Sequence, residues 1–402
     1  MKKTTLSDVS LNITDGKHGD CVNEENSGFY FISCKDVKDG AINYKSARQI
    51  TEKDFSEANK RTLLEPNDIL ITNSGTIGRM AFVRDVPSTY KTTFQKSVAI
   101  VKPNSDIIYP LYLYYQLQCC VERFINQSNG SAQKNLLLST MRAFELFIHD
   151  DLNTQRRIVD ILSAYDDLIE NNRKQIKLLE EAAQRLYQEW FVDLRFPGYG
   201  HTKIVGGTPE GWEPCILDDV IEFDPKVRLD KDRIKQFVPM SALSTSSMVL
   251  DINEISETIS NSGSKFQNGD TLLARITPCL ENGKTAFVHG LKSDEGAVGS
   301  TEYIVMRSKK LNPYMVYLLS RTNGFRQSAI NSMSGSDGRQ RVKADKLKAL
   351  VYLLPPTELI HSFEQMVSPM FEMVFALNQQ IFAATQARDR LLPKLMNGEV
   401  EV

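Results

Sequence analysis

This 402-residue chain lacks the usual marks of an enzyme that works alone. No GxxxxGK[ST] run is present, which removes the familiar loop for nucleotide hydrolysis. The five histidines, His18, His149, His201, His289 and His361, are scattered and form neither HExxH nor a Cys/His zinc spacing. The six cysteines, Cys21, Cys34, Cys119, Cys120, Cys215 and Cys279, contain no CxxC pair. Cys119-Cys120 reads as core packing on a helix, and reduced thiols in the cytoplasm are the simplest account. No segment approaches the roughly 18 apolar residues of a membrane helix. Polar residues follow Met1-Lys2-Lys3-Thr4-Thr5, so no signal peptide is expected.

Short fragments do not fill the gap. Asp36-Val37-Lys38 and Asp224-Pro225-Lys226 fit a carboxylate-x-lysine pattern, but no metal-binding constellation supports either. Asn312-Pro313-Tyr314 lacks the second proline of a methyltransferase motif and reads as a helix start. The expectation is a chain with no catalytic, cofactor or metal site of its own. Its net charge of -2 excludes a general polycation, yet 48 Lys and Arg leave room for local basic patches.

What is present is a repeat. Gly78, Ala81, Phe82 and Val83 recur 205 positions on as Gly283, Ala286, Phe287 and Val288. Gly130-Ser131 recurs as Gly335-Ser336, Gln175-Ile176 as Gln380-Ile381, and Arg185-Leu186 as Arg390-Leu391. Two similar surfaces can then lie about a pseudo-two-fold axis, as the backbone of duplex DNA does.

Each copy ends in a heptad. In the first, seam positions are Ile158, Leu162, Tyr165, Ile169, Asn172, Ile176, Leu179, Ala183, Leu186 and Trp190. In the second they are Phe363, Val367, Met370, Val374, Leu377, Ile381, Ala384, Arg388, Leu391 and Leu395. Steps of four and three mark a coiled-coil seam, and Asn172 is a polar position that can fix register. Arg388 reads as a frayed or exposed turn; Pro369 and Pro393 read as disturbances near the two ends. Each seam rises about 48 Å at about 1.5 Å per residue. One such helix alone would leave its apolar stripe wet, so the two should pair. Antiparallel pairing would hold two heads apart on the scale of a DNA turn, about 34–36 Å.

The boundaries that follow are 1–153 for the first head, 154–192 for its helix, 193–211 for a Gly/Pro-bearing linker, 212–355 for the second head, 356–397 for its helix and 398–402 for a tail. The heads alternate strand-like runs with turns and should be mixed α/β with a curved sheet.

Two pairs of loops carry recognition chemistry. In the first head, Asn73, Ser74 and Arg79 lie between strands; the second-head loop carries Arg275 and Lys284. A later pair carries Gln133, Lys134 and Asn135, and Arg339, Gln340 and Arg341. Arg and Lys suit phosphates, while Asn and Gln can read adenine or cap a helix. The plainer reading is a structural hairpin with solvated charges.

At these residues the chain resembles the specificity subunit of type I restriction-modification systems. The resemblance rests on Gln155-Arg156-Arg157-Ile158-Val159 and on Gly269-Asp270-Thr271-Leu272-Leu273-Ala274-Arg275 through Gly283-Lys284. Gly335–Val342 and Leu391-Leu392-Pro393-Lys394-Leu395-Met396-Asn397-Gly398-Glu399-Val400 complete it. It covers essentially the whole chain. It implies a tandem duplication of a mixed α/β target-recognition domain plus a long helix, with the helices paired as an antiparallel coiled coil. It also implies double-stranded DNA with a bipartite site as ligand. Two methyltransferase subunits for adenine-N6 methylation and two restriction (translocase-nuclease) subunits would be the partners. S-adenosylmethionine, ATP and Mg2+ would bind those partners. The second helix departs from the pattern, with His361-Ser362-Phe363-Glu364-Gln365 where the first has its Gln-Arg-Arg opening. The other class of function left open is a coiled-coil scaffold joining two protein-binding heads without reading DNA.

Overall fold

The computed structural model describes residues 1–128, 134–292, 296–336 and 338–402. The chain forms two compact units, Met1–Leu168 with Ala384–Val402, and Ile169–Ala383. Each is a mixed α/β head with a stretch of both long helices, as the duplicated pattern predicts. Among the described residues no helix is long and apolar enough to cross a membrane.

In the first unit a four-stranded antiparallel sheet runs in the spatial order Ser10–Asp15, Val98–Pro103, Ile69–Thr72, Met80–Phe82. Ile69-Leu70-Ile71-Thr72 is buried throughout, the expected behaviour of a short continuous apolar run covered on both faces. A smaller sheet holds Arg48–Gln49, Tyr30–Ile32 and Thr92–Phe94, the last two parallel. Lys2–Thr5 pairs with Glu145–Ile148, which delivers the chain to the first long helix.

The second unit repeats this plan. Its antiparallel sheet has the order Ile221–Phe223, Tyr303–Ser308, Thr271–Ala274, Thr285–Phe287. Its other sheet, also of four strands, again contains one parallel pair, Lys235–Val238 beside Ala297–Gly299. Glu213–Ile216 pairs with Val351–Leu354, just before the second long helix.

A charged clasp closes one end of each antiparallel sheet. Lys102 Nζ lies 2.8 Å from Asp68, and the Asp68 carboxylate also accepts the Glu65 N–H at 2.8 Å. Arg307 meets Asp270 through two bonds of 2.7 Å, and Asp270 accepts the Gln267 N–H at 2.8 Å. A charge this deep is tolerated because it is paired and hydrogen-bonded.

The first long helix, Leu152–Tyr187, is capped by Asp151, whose carboxylate accepts the Thr154 N–H at 2.9 Å. It continues as a π turn over Gln188–Val192. The second, Thr357–Met396, is unbroken. Pro369 and Pro393 both lie within it, so Pro369 does not shift its beginning, and both are exposed.

Within the second unit the two helices run antiparallel. Asn172 Nδ2 donates to Gln380 Oε1 at 3.0 Å, while Trp190 packs on Phe363 with ring centroids 5.6 Å apart. Ile169, Asn172, Ile176, Ala183, Phe363, Val367, Val374 and Leu377 are buried there, and Leu179, Leu186, Met370 and Ile381 are half-buried. Phe371 and Phe375 add a second apolar face outside the heptad: Phe371 packs on Phe287 and Tyr314, and His289 stacks on Phe375 at 3.8 Å.

Within the first unit Ile158, Leu162 and Leu395 join the head core, with Leu391 packed against it and Tyr165 half-buried. Arg388 corrects the expectation of a frayed turn. Its guanidinium is 2.6 Å from Asp166 on the other helix.

The unusual opening of the second helix also finds a physical account. Gln155 is fully buried; it accepts the Tyr109 N–H and donates to the His149 carbonyl, both at 2.7 Å. Its counterpart by the repeat is Ile360, which has no amide. There the bond comes from the head instead: Asn312 Nδ2 donates to the Ile360 carbonyl at 3.2 Å.

Candidate nucleic-acid interface

The predicted recognition loops meet at the end of each antiparallel sheet opposite the charged clasp. In the first unit the loop 73–79 follows Ile69–Thr72. Asn73 donates its N–H to the Ser97 carbonyl at 3.1 Å, and its own carbonyl accepts from Leu136 at 2.8 Å. Ser74 and Asn135 form an antiparallel bridge. The loop at 134–136, distant in sequence, is thereby fastened beside the first.

Glycine is required in this loop. Thr72 N–H donates to the Arg79 carbonyl at 2.8 Å, and Gly78 N–H to the Thr72 carbonyl at 2.9 Å. Gly78 has φ +85°, and a Cβ there would lie 2.7 Å from Val121 Cγ1. The Thr72 hydroxyl caps the turn by donating to the Thr76 carbonyl and accepting the Arg79 N–H.

The second unit makes the same junction with different side chains. Arg275 N–H donates to the Glu302 carbonyl at 3.0 Å, and Val342 N–H to the Arg275 carbonyl at 3.0 Å. Ile276 bridges Arg341. Asn73, Ser97 and Leu136 are thus the backbone equivalents of Arg275, Glu302 and Val342. Ser97 and Glu302 keep the 205-residue offset, but the loops do not: 275–284 is longer than 73–79. The extra length is held from beneath. Arg321 Nη1 donates to the Gly283 carbonyl at 2.7 Å, and Arg326 Nη2 to the Glu281 carbonyl at 3.1 Å.

The candidates divide by what they touch. Arg79, Lys134 and Asn135 are exposed beside the first junction. Asn73 is buried, and its Oδ1, like the Ser97 Oγ, has no hydrogen-bond partner among the described residues. Ser74 is half-buried. In the second junction Arg339 is exposed, whereas Lys284 donates to the Met240 carbonyl at 2.7 Å. Gln340 takes part through its backbone, its carbonyl accepting the Thr277 N–H at 3.1 Å. Arg341 is bound to Glu302 at 2.7 and 2.9 Å, and that guanidinium holds the Glu302 carboxyl below the usual range. Arg275 is half-buried, with its Nε unpartnered among the described residues. Gln133 lies outside the described residues, as do Asn129–Ala132 and Asp337.

Reading loops one at a time missed Ser97, Glu302, Arg321 and Arg326. Applying the repeat offset to Ser97 leads to Glu302, but nothing local marks either. Among the described residues no group of three or more His, Cys, Asp or Glu is placed to hold a metal. The junction's chemistry is that of hydrogen-bond donors and acceptors at a polar sheet end, suited to recognition.

Comparison with known proteins agrees with this construction. Residues 11–181 match the family model described as the type I restriction modification DNA specificity domain. The MjaIX type I restriction enzyme specificity subunit of Methanocaldococcus jannaschii is 26% identical over 394 residues, covering 92% of this chain and 87% of that protein. The EcoAI specificity subunit of Escherichia coli is 31% identical over 198 residues, covering 47% of this chain and 33% of that one. In fold, the chain is similar to the crystal structure of a type I restriction-modification S subunit from M. genitalium. The TM-score is 0.60 at 13% identity, with 98% of this chain and 96% of that one covered. The duplicated heads and paired helices of the fold thus go with likenesses, in sequence and in fold, to the specificity subunits of type I restriction-modification systems.

Proposed function

We propose that each sheet-end junction is a DNA-reading face, so that the chain recognises one half of a bipartite double-stranded site with each head. The heads are residues 1–153 and 212–355, and the paired helices fix the gap between the half-sites. In that role its partners are methyltransferase and restriction subunits. In our reading two of each assemble on one specificity chain. S-adenosylmethionine, ATP and Mg2+ are then their cofactors, and the reaction directed is adenine-N6 methylation or ATP-dependent cleavage.

One observation carries the proposal. The same backbone junction is built twice, yet its side chains are neutral Asn73, Ser97 and Asn135 in one unit and charged Arg275, Glu302 and Arg341 in the other. A purely structural turn has no need of that divergence. Two readers of different half-sites do. Exposed cations beside the junctions would set register on phosphates, and the junction side chains would meet base edges. The methylated adenine would be flipped from the stack by the partner.

The test is co-expression with the methyltransferase subunit in a host lacking the modification, followed by genome-wide mapping of adenine-N6 methylation. A single bipartite motif with a fixed gap, lost when this chain is omitted, is expected. A contiguous motif, or one unchanged by replacing either head, defeats the reading. Absence of any DNA binding by the soluble complex favours the protein scaffold.

A further inference from the structure

We propose that Arg341 reads a guanine in the half-site of the second unit and that Glu302 is its positioning residue. The inference rests on the junction facing DNA. Three observations point to it.

The first is the way the guanidinium is held. Its Nε and Nη2 hydrogens rest on the Glu302 carboxylate, at 2.9 and 2.7 Å. A guanidinium has five N–H donors in a fixed fork. Glu302 uses one from Nε and one from Nη2. The pair of donors shared by Nη1 and Nη2 remains directed outward, with Nη1 making only a 3.5 Å contact to the Arg339 carbonyl. That outward pair matches the O6 and N7 acceptors of guanine in the major groove.

The second is backbone fixation. Arg341 bridges both Ile276 and Ser334, exchanging N–H and carbonyl bonds with Ser334 at 2.9 and 3.0 Å. A side chain anchored at both its root and its Nε edge has little freedom left to lose on binding.

The third is charge. Arg341 with Glu302 is a neutral pair, and the carboxylate is a quarter exposed. A phosphate placed against it would meet an anion as well as a cation. The uncharged edge of a base meets no such penalty. Arg341 therefore departs from the phosphate role that its type alone suggests. In the first unit the Glu302 position is Ser97, whose hydroxyl has no hydrogen-bond partner among the described residues.

The test uses the complex of this chain with its methyltransferase subunit and duplexes carrying the mapped site, with each base pair of both half-sites substituted in turn. Affinity is measured for Arg341→Ala, Arg341→Lys, Glu302→Gln and Glu302→Asp, each over a series of salt concentrations. Arg341→Ala should abolish a preference for one guanine, a preference of about 5- to 150-fold, while the other half-site and the salt slope are unchanged. Arg341→Lys should recover part of it. Glu302→Gln should weaken the same base preference, and Glu302→Asp should retain more of it than Gln does. A uniform loss of affinity with a shallower salt slope would show a phosphate contact and overturn the proposal, as would unchanged base preference in Arg341→Ala. Arg79→Ala and Lys134→Ala separate the two levels of failure. If they weaken DNA binding while Arg341→Ala does not, the face stands and the guanine reading falls. If none of these variants affects DNA binding, both fall.

Discussion

Arg388 on the second long helix places its Nη1 2.6 Å from Oδ1 of Asp166 on the first, and the Tyr115 hydroxyl donates to Oδ2 of the same carboxylate at 2.6 Å. A charge interrupting an apolar seam is thus answered by a carboxylate on the opposite helix, which the head in turn holds through Tyr115. Arg388→Ala strands Asp166 with one partner. A double-mutant cycle with Asp166→Ala, read by denaturant unfolding, should give a coupling of about 1–3 kcal/mol. Additive single effects would mean the pair contributes nothing.

Helix length should control the gap between half-sites. Inserting seven residues into each long helix at matched seam positions adds about 10.5 Å, close to three base pairs. The mapped motif should keep both half-sites and gain a spacer longer by about that amount. An unchanged spacer would remove the helices from this role.

Gly78 and Gly283 should differ in their tolerance of alanine. Both have positive φ, which makes any side chain strained. At Gly78 the new Cβ meets branched Val121, whereas at Gly283 it meets the far end of flexible Arg326, at 2.9 Å. Thermal unfolding should show Gly78→Ala as the more damaging, by about 1–3 kcal/mol. Equal effects would show that φ alone governs both.

Glu180 supplies a pH dependence. It lies on the first helix, where burial pushes its pKa up despite bonds accepted from the Met248 N–H and Ser247 hydroxyl at 2.6 and 2.7 Å. The folded state therefore holds this proton more tightly than the unfolded chain. Its contribution is full below the unfolded carboxylate pKa of about 4.3 and is lost as pH rises through the higher folded value. Glu180→Gln keeps the acceptor and removes the charge. It should unfold at a higher temperature near neutral pH and lose that downward slope; an unaltered pH profile would refute the assignment.

Much of this was legible in the sequence because periodic patterns are physical constraints. Four-and-three spacing from Ile158 and from Phe363 is enough to call for two helices that bury a shared stripe. The repeat of Gly78-x-x-Ala81-Phe82-Val83 is enough to place two equivalent hairpins. Other features had no local signature. Arg388 looks misplaced until Asp166 and Tyr115 are brought beside it. Glu302 is one acid among many until folding sets it against Arg341. Nor could a fixed offset align Asn73 with Arg275, since the loop lengths differ between the copies and only the shared backbone bonds reveal the match.

The placement of the charged clasps bears on how such a protein changes over generations. Asp68 with Lys102, and Asp270 with Arg307, secure each sheet at the end away from the loops. Residues can be inserted or exchanged at the far end without loosening that anchor, as the longer loop after Ala274 already illustrates. The anchor of each sheet and its proposed reading loops thus lie at opposite ends. On the DNA-reading proposal, a lineage would acquire a new target sequence by altering exposed turn residues such as Arg79 and Arg339, with the clasps left in place.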